Sequence, residues 1–237
     1  RKTVWIDAQD GALLGWREEV RFTAGTVVAV VDDRYPMAGT TTAPMSGVSL
    51  GNTTSSLSGT FSTPGSPPEA LGWGPDGTWV NVESADSFGQ ASFTDTLTEG
   101  GIVTAQAGAS AGNTEVRRTL AQTQVHVSTM VARAKSLEID PGFGWANQQV
   151  RANVNDDSTT CNAWYDGQSI NFVRQGGGCN NTARVADVVY HEYGHGFHAW
   201  SIVQGQGEFD PALSEGLSDY LTVTITGDHG MGRNFVQ

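Results

Sequence analysis

The first part of the chain alternates between apolar and polar positions in short runs, which is typical of β-strands with one buried face. Residues 1–23 alternate on either side of an Asp10-Gly11 pair and predict a β-hairpin. From 24 to 107, short apolar runs such as TVVAVV at 26–31 stand between turns rich in Gly and Pro. We therefore expect a β-sandwich-like module over residues 24–107.

The pattern changes near residue 108, where apolar residues begin to recur every three or four positions. This spacing predicts a helix that begins near Asn113 and stops at Asp140, before Pro141. Four more elements are predicted downstream: strands around 148–154 and 169–173, and helices at about 182–200 and 210–227. The expected fold class is α+β, with a β-rich N-terminal module followed by a second unit at 108–237.

Charge and composition narrow the classes of function. The net charge of -12 argues against nucleic acid as a partner, and no apolar stretch is long enough to predict a transmembrane segment. The two cysteines, Cys161 and Cys179, are either free thiols or one disulfide. The chain is acidic, poor in Lys and rich in Gly, Ser, Thr and Asn, which favours a secreted, extracellular protein and therefore the disulfide.

A possible metal site lies in the segment VVYHEYGHGFHAW, which contains the pattern His-Glu-x-x-His. On a helix, His191 and His195 are one turn apart and project from the same face, so two imidazoles can share one Zn²⁺ ion. Glu192 is next to the first ligand, and its carboxylate can take a proton from a metal-bound water. These three residues predict a metal ligand pair with a general base.

A catalytic zinc site needs a third protein ligand and keeps one position open. Glu215 lies 20 residues after His195, in ALSEGLSDYL, and is the expected third ligand. Asp219 follows it by one helical turn and can accept the second ring N–H of a ligand histidine, which fixes the tautomer.

The segments HEYGHG at 191–196 and SEGLSD at 214–219 resemble the gluzincin metallopeptidases, the group that includes thermolysin and fungalysin. The resemblance implies that His191, His195 and Glu215 bind zinc, that Glu192 is the catalytic base, and that Asp219 supports His191. It also implies the first lobe of a zincin catalytic domain, in which two helices carry the active site.

Two further segments extend the resemblance. The sequence CNAWYDGQSINF at 161–172 is similar to an edge strand that pairs with the extended substrate in relatives, so Asn162 and Ala163 are expected to contact a peptide. Residues 4–14 resemble the last strands of the propeptides that precede such enzymes, which makes 1–23 a propeptide-like hairpin.

Other positions depart from the family pattern. Relatives carry a second, helical lobe with an oxyanion-stabilising His, whereas this chain reaches Gln237 soon after Glu215, so we expect that lobe to be absent or to exist as a separate chain. His198 and His229 do not match the oxyanion position. A calcium-binding Asp of relatives is matched by Asp187, but the expected acidic partner falls at Thr226, so only half of a Ca²⁺ site is present.

The sequence thus favours a secreted zinc endopeptidase that hydrolyses peptide bonds with Glu192 as general base. Two alternatives remain open at this stage. The chain could be a secreted binding or surface module with a structural or vestigial zinc site, or a latent proenzyme held inactive by its own N-terminal segment.

Overall fold

The computed structural model describes residues 2–18, 22–50, 53–64, 69–85, 93–97, 101–105, 114–137, 144–201 and 210–237. The predicted helix start at Asn113, the stop at Asp140 and the change of pattern at 107–108 lie outside these ranges. Among the described residues, no helix combines the length and the hydrophobicity that crossing a membrane would require.

The N-terminal half consists of β-strands, in agreement with its alternating pattern. The strands are β1 (Lys2–Ile6), β2 (Leu13–Glu18), β3 (Phe22–Asp32), β4 (Thr40–Pro44), β5 (Val48–Leu50), β6 (Thr53–Thr54), β7 (Thr60–Pro64), β8 (Glu69–Gly77), β9 (Val80–Ser84), β10 (Phe93–Leu97) and β11 (Ile102–Ala105). The predicted hairpin is confirmed: β1 and β2 pair antiparallel, and Gly11 supplies the positive φ of 73° that the turn requires.

The C-terminal half contains the helices and three more strands, which confirms the α+β class. These elements are α1 (Thr114–Ser136), α2 (Gly144–Asn147), β12 (Val150–Asp156), β13 (Ala163–Tyr165), β14 (Ser169–Val173), α3 (Ala186–Ser201) and α4 (Pro211–Thr226). A 3-10 turn, Thr182–Arg184, precedes α3. The helices predicted from apolar spacing and capping residues therefore form where they were expected.

Within the described ranges, one sheet joins both halves of the chain. Its strands follow the order β13-β14-β12-β9-β8-β5-β6, with β10 also paired to β8. Strand β12 is parallel to β14 and to β9, where Val150 is opposite Val80. A smaller sheet has the order β11-β3-β4, with β7 also paired to β3. Strands that come before and after residue 107 in the chain thus belong to one sheet. The predicted change of pattern near residue 107 is therefore not a boundary between two sheets.

Helix α1 lies at the centre of the core, where it contacts β3, β9, β12 and α3. The apolar positions that predicted this helix are buried, including Leu120, Val127 and Met130. The ring of His126 lies under α3, with Nδ1 3.1 Å from the hydroxyl of Tyr190. Because α1 contacts both the large sheet and α3, it fixes the position of α3 relative to the sheet edge at β13.

Candidate metal centre

Helix α3 presents the two histidines side by side. His191 and His195 are one turn apart, and their rings meet edge to face with centroids 4.7 Å apart. The two Nε2 atoms are separated by 3.1 Å. His195 is buried at 9% exposure, and the side chain of His191 is 17% exposed. The pair therefore lies at the boundary between the core and the solvent.

Helix α4 brings the carboxylate of Glu215 to this pair. Its start is set by Asp210, which accepts a hydrogen bond from the backbone N–H of Leu213, and by Pro211 in the first turn. One Glu215 oxygen lies 3.1 Å from His191 Nε2, and the other lies 3.7 Å from His195 Nε2. One nitrogen or oxygen atom from each of these three residues lies within 4.8 Å of the others, so the group could hold a metal ion.

Two glycines of α3 allow the close packing that this geometry needs. A Cβ on Gly194 would lie 2.7 Å from the Cα of Ser218 on α4. A Cβ on Gly196 would lie 2.3 Å from the indole ring of Trp145. Gly194 therefore sets the distance between α4 and the helix that carries the histidines, and Gly196 sets the distance from that helix to α2. Neither role was predicted from the sequence.

The outer ring nitrogen of each histidine has its own partner. His191 Nδ1 lies 2.8 Å from a carboxylate oxygen of Asp219, the residue predicted for this contact. His195 Nδ1 lies 2.8 Å from the hydroxyl of Ser214, which the sequence analysis missed. Ser214 is fully buried and directly precedes Glu215. Both contacts leave Nε2, the nitrogen that faces Glu215, for a ligand bond.

Glu192 lies beside the cluster with a carboxyl group that the core surrounds. It is 6% exposed. Burial and, to a smaller extent, the negative charge of Glu215 raise the pKa of Glu192, and a hydrogen bond from the backbone N–H of Tyr165 opposes the rise, which brings the pKa to about 8. A cation held by the neighbouring ligands would lower that pKa again. The group is therefore suited to take up and release a proton.

A cavity of about 290 Å³ opens next to the cluster. Its walls come from three parts of the chain, namely β13 with its preceding residue, helices α3 and α4, and the segment after α4. The lining residues are Asn162, Ala163, Val188, His191, Glu192, Asp219, Met231, Gly232 and Phe235. Asn162 and Ala163, predicted as substrate contacts, thus lie in the same cavity as Glu192.

Strand β13 lies at one end of the large sheet and pairs antiparallel with β14. The predicted disulfide is present: Cys161 and Cys179 are joined with a Cα–Cα distance of 5.3 Å. It ties the residues just before β13 to the loop that precedes α3. The edge strand is therefore fixed at its start by a covalent link and along one side by β14.

The expected half-site for Ca²⁺ at Asp187 has a different partner. Both carboxylate oxygens of Asp187 accept hydrogen bonds from the guanidinium of Arg34, at 2.7 and 2.6 Å. Thr226, at the position of the missing acidic residue, donates its hydroxyl to the carbonyl of Thr222. Because a cationic side chain already neutralises Asp187, the calcium expectation gains no support from this region.

The two histidines considered for the oxyanion role lie elsewhere. His198 is 1% exposed, and neither of its ring nitrogens has a hydrogen-bond partner among the described residues. His229 is exposed. Neither belongs to the described residues that line the cavity.

Comparison of the chain with known protein families and with curated proteins gives no match.

Proposed function

We propose that this chain is a zinc-dependent peptidase of the gluzincin type, with His191, His195 and Glu215 as ligands and Glu192 as general base. The observation that carries the proposal is the convergence of two imidazole nitrogens and a carboxylate beside a buried carboxyl group. The adjoining cavity, which His191 and Glu192 line and an edge strand borders, supports a peptide as the substrate.

The donor set supports zinc as the metal. Tetrahedral zinc with bonds of about 2.0–2.1 Å places its ligand atoms roughly 3.3 Å apart. The two Nε2 atoms are 3.1 Å apart, and the Glu215 oxygens lie 3.1 and 3.7 Å from them. Two imidazoles and one carboxylate, with no fourth candidate ligand in the group found among the described residues, are typical of a catalytic site with an open position.

The residues of the chain divide the work of hydrolysis among them. Zinc bound at the site would supply a Lewis acid that polarises a peptide carbonyl and makes water more acidic. Glu192 accepts the proton of the attacking water at its carboxylate and later gives it to the leaving amine. Asp219 and Ser214 hold the two imidazoles in the tautomer that leaves Nε2 for the metal.

Strand β13 supplies the means to hold an extended peptide. Substrates of this shape bind by adding a strand to an exposed sheet edge, with main-chain hydrogen bonds that depend little on sequence. Asn162 and Ala163 line the cavity and border this edge, next to Glu192. We therefore assign them to substrate binding. The disulfide is consistent with our further proposal that the protein acts outside the cytoplasm.

The direct test is the variant Glu192→Gln, which removes the base but keeps the shape of the side chain. We expect it to retain one zinc per chain and to lose cleavage of a quenched fluorescent peptide by a factor of at least about 100. Glu83→Gln, a change at a glutamate paired with Arg151 on another strand, is the matched control and should cleave normally. Equal cleavage by the Glu192→Gln variant and the control would contradict the proposal.

A further inference from the structure

The segment after α4 forms one wall of the metal-site cavity, although no pattern in the sequence predicted it. We define the cavity wall as residues 228–237. Met231, Gly232 and Phe235 of this wall line the cavity together with His191 and Glu192. The wall contains no helix or strand of its own, so its position depends on what holds its two ends.

The C-terminal end of the wall is held by the disulfide-bonded loop. The backbone N–H of Asn180 donates to the carbonyl of Phe235, and that of Gln237 donates to the carbonyl of Gly178. Cys179 and Val236 form an isolated β-bridge. This end is therefore attached to the same loop that the disulfide links to β13.

The N-terminal end is held by Arg34, which follows strand β3 of the smaller sheet. Its guanidinium donates to Asp187 at the start of α3 and, at the same time, to the carboxylate of Asp228. A further N–H of Arg34 donates to the carbonyl of Gly230 at 3.0 Å. The backbone N–H of Gly232 completes the contact by donating to Asp187 at 3.1 Å.

Burial and geometry make this contact specific for arginine. The side chain of Asp187 is 0% exposed and that of Arg34 is 17% exposed, so loss of either charge would leave the other without its main partner in a poorly solvated place. The planar guanidinium has donors pointing in several directions and can bind two carboxylates and a carbonyl together. A lysine ammonium at this position is a single point charge and cannot reproduce that arrangement.

We propose that Arg34 is a positioning residue for the metal-site cavity: by joining Asp187 to Asp228 and Gly230, it holds the cavity wall against α3. A residue from the β-rich half thus controls the binding of any ligand that extends from the metal to Met231 and Phe235. The residues that could bind the metal lie farther along α3 and on α4, and the close contact between these helices at Gly194 and Ser218 does not involve Arg34. The choice of ligand in the first test below rests on the proposed function, whereas the second test does not.

The first test compares two probes on the zinc-loaded protein. Acetohydroxamate is small enough to contact only the metal and its neighbours, whereas a hydroxamate built on a blocked leucyl dipeptide also reaches the wall. In Arg34→Ala, we expect the dissociation constant of the peptide hydroxamate to rise about tenfold, a change worth about 1.4 kcal/mol. The dissociation constant of acetohydroxamate should stay unchanged, and Arg34→Lys should fall between Arg34→Ala and the parent protein.

The matched control is Arg233→Ala. Arg233 binds the same Asp228, with its Nε 2.8 Å from the carboxylate, but its side chain is 55% exposed, and its described ion pair is with Asp228 rather than with α3. An exposed ion pair of this kind contributes little to stability. We expect both probes to bind this variant as they bind the parent protein.

Asp228→Asn keeps the pair between Arg34 and Asp187 and tests the same attachment in case Arg34→Ala does not fold.

The second test needs neither zinc nor peptidase activity. Hydrogen exchange at the amides of Gly232 and Phe235 should become at least roughly tenfold faster in Arg34→Ala or in Asp228→Asn, because the wall can then open locally. Exchange in α3 and α4 should change much less. Unchanged exchange at these two amides would overturn the proposal, and so would an equal loss of affinity for both hydroxamates.

Discussion

The candidate metal centre has an inner and an outer half, and the two are held in different ways. The inner half consists of Glu192, His195 and Ser214, which are all buried. In the outer half, the side chains of Glu215 and Asp219 are 63% and 52% exposed. Core packing holds the inner groups, whereas the outer groups lie largely in solvent, where Asp219 is held by its hydrogen bond to His191.

This difference in burial explains why two hydrogen bonds of the same length are expected to contribute differently to stability. His191 and His195 each have a partner 2.8 Å from Nδ1. Asp219 is exposed and supplies a charge that solvent screens, whereas Ser214 is fully buried and supplies a neutral hydroxyl. Loss of a buried partner leaves an unsatisfied polar atom and costs stability, while loss of an exposed one is largely replaced by solvent. Substitutions in the outer half should therefore lower metal affinity alone. Substitutions in the inner half should lower both metal affinity and the stability of the fold.

The largest effect on metal binding is expected at Glu215, the proposed ligand in the outer half. Glu215→Gln should lower zinc affinity by more than roughly 100-fold. Loss of a residue that only hydrogen-bonds to a ligand can already lower metal affinity by up to about 100-fold, and loss of a ligand should cost more. The free energy of unfolding of the metal-free protein should change by less than about 0.5 kcal/mol, because the side chain is exposed. Zinc titration with a competing chelator measures the first quantity, and denaturation in EDTA measures the second. Unchanged affinity would remove Glu215 from the ligand set.

The second prediction compares the two hydrogen-bonding partners directly. Ser214→Ala and Asp219→Asn should each lower zinc affinity by about 10- to 100-fold. In the absence of metal, Ser214→Ala should also lower the free energy of unfolding by roughly 1 kcal/mol, whereas Asp219→Asn should leave it nearly unchanged. Denaturation in EDTA separates the two variants. Equal stability losses would contradict the division into an inner and an outer half.

The third prediction concerns the contact between α3 and α4. Gly194→Ala places a methyl group against Ser218 and should lower the free energy of unfolding by about 1–3 kcal/mol. It should also lower zinc affinity, because it pushes α4, which carries Glu215, away from the two histidines on α3. Gly216→Ala on α4 is the matched control, because its added Cβ would meet nothing within 4 Å apart from the adjoining residues of its own helix. It should raise stability slightly, by up to about 1 kcal/mol, since Ala favours a helix more than Gly does. A destabilising effect at both positions would argue against a specific contact at Gly194.

Much of the fold and of the site could be predicted because the relevant information is local in sequence. His191 and His195 are one helical turn apart, so their proximity follows from the helix alone. The alternating strands, the N-cap at Asp210 and the C-cap glycine at 227 depend on neighbouring residues in the same way. The disulfide between Cys161 and Cys179 needed only the number of cysteines and the composition of the chain.

The features that were missed depend on packing between distant segments. Arg34 lies 153 residues before Asp187, and no periodicity relates the two. Ser214 was overlooked because a serine in a helix has no distinctive pattern until the neighbouring helix is in place. The sharing of one sheet by β9 and β12 was hidden for the same reason, since parallel pairing joins strands that are far apart in the chain.

The measurement that tests the central claim most directly is anomalous diffraction at the zinc edge from crystals of the zinc-loaded protein. The account predicts one peak, about 2.0–2.2 Å from His191 Nε2, His195 Nε2 and a Glu215 oxygen, with a solvent molecule completing the coordination. A peak at another place, or a fourth protein ligand that closes the coordination shell, would contradict the catalytic zinc site proposed for this chain.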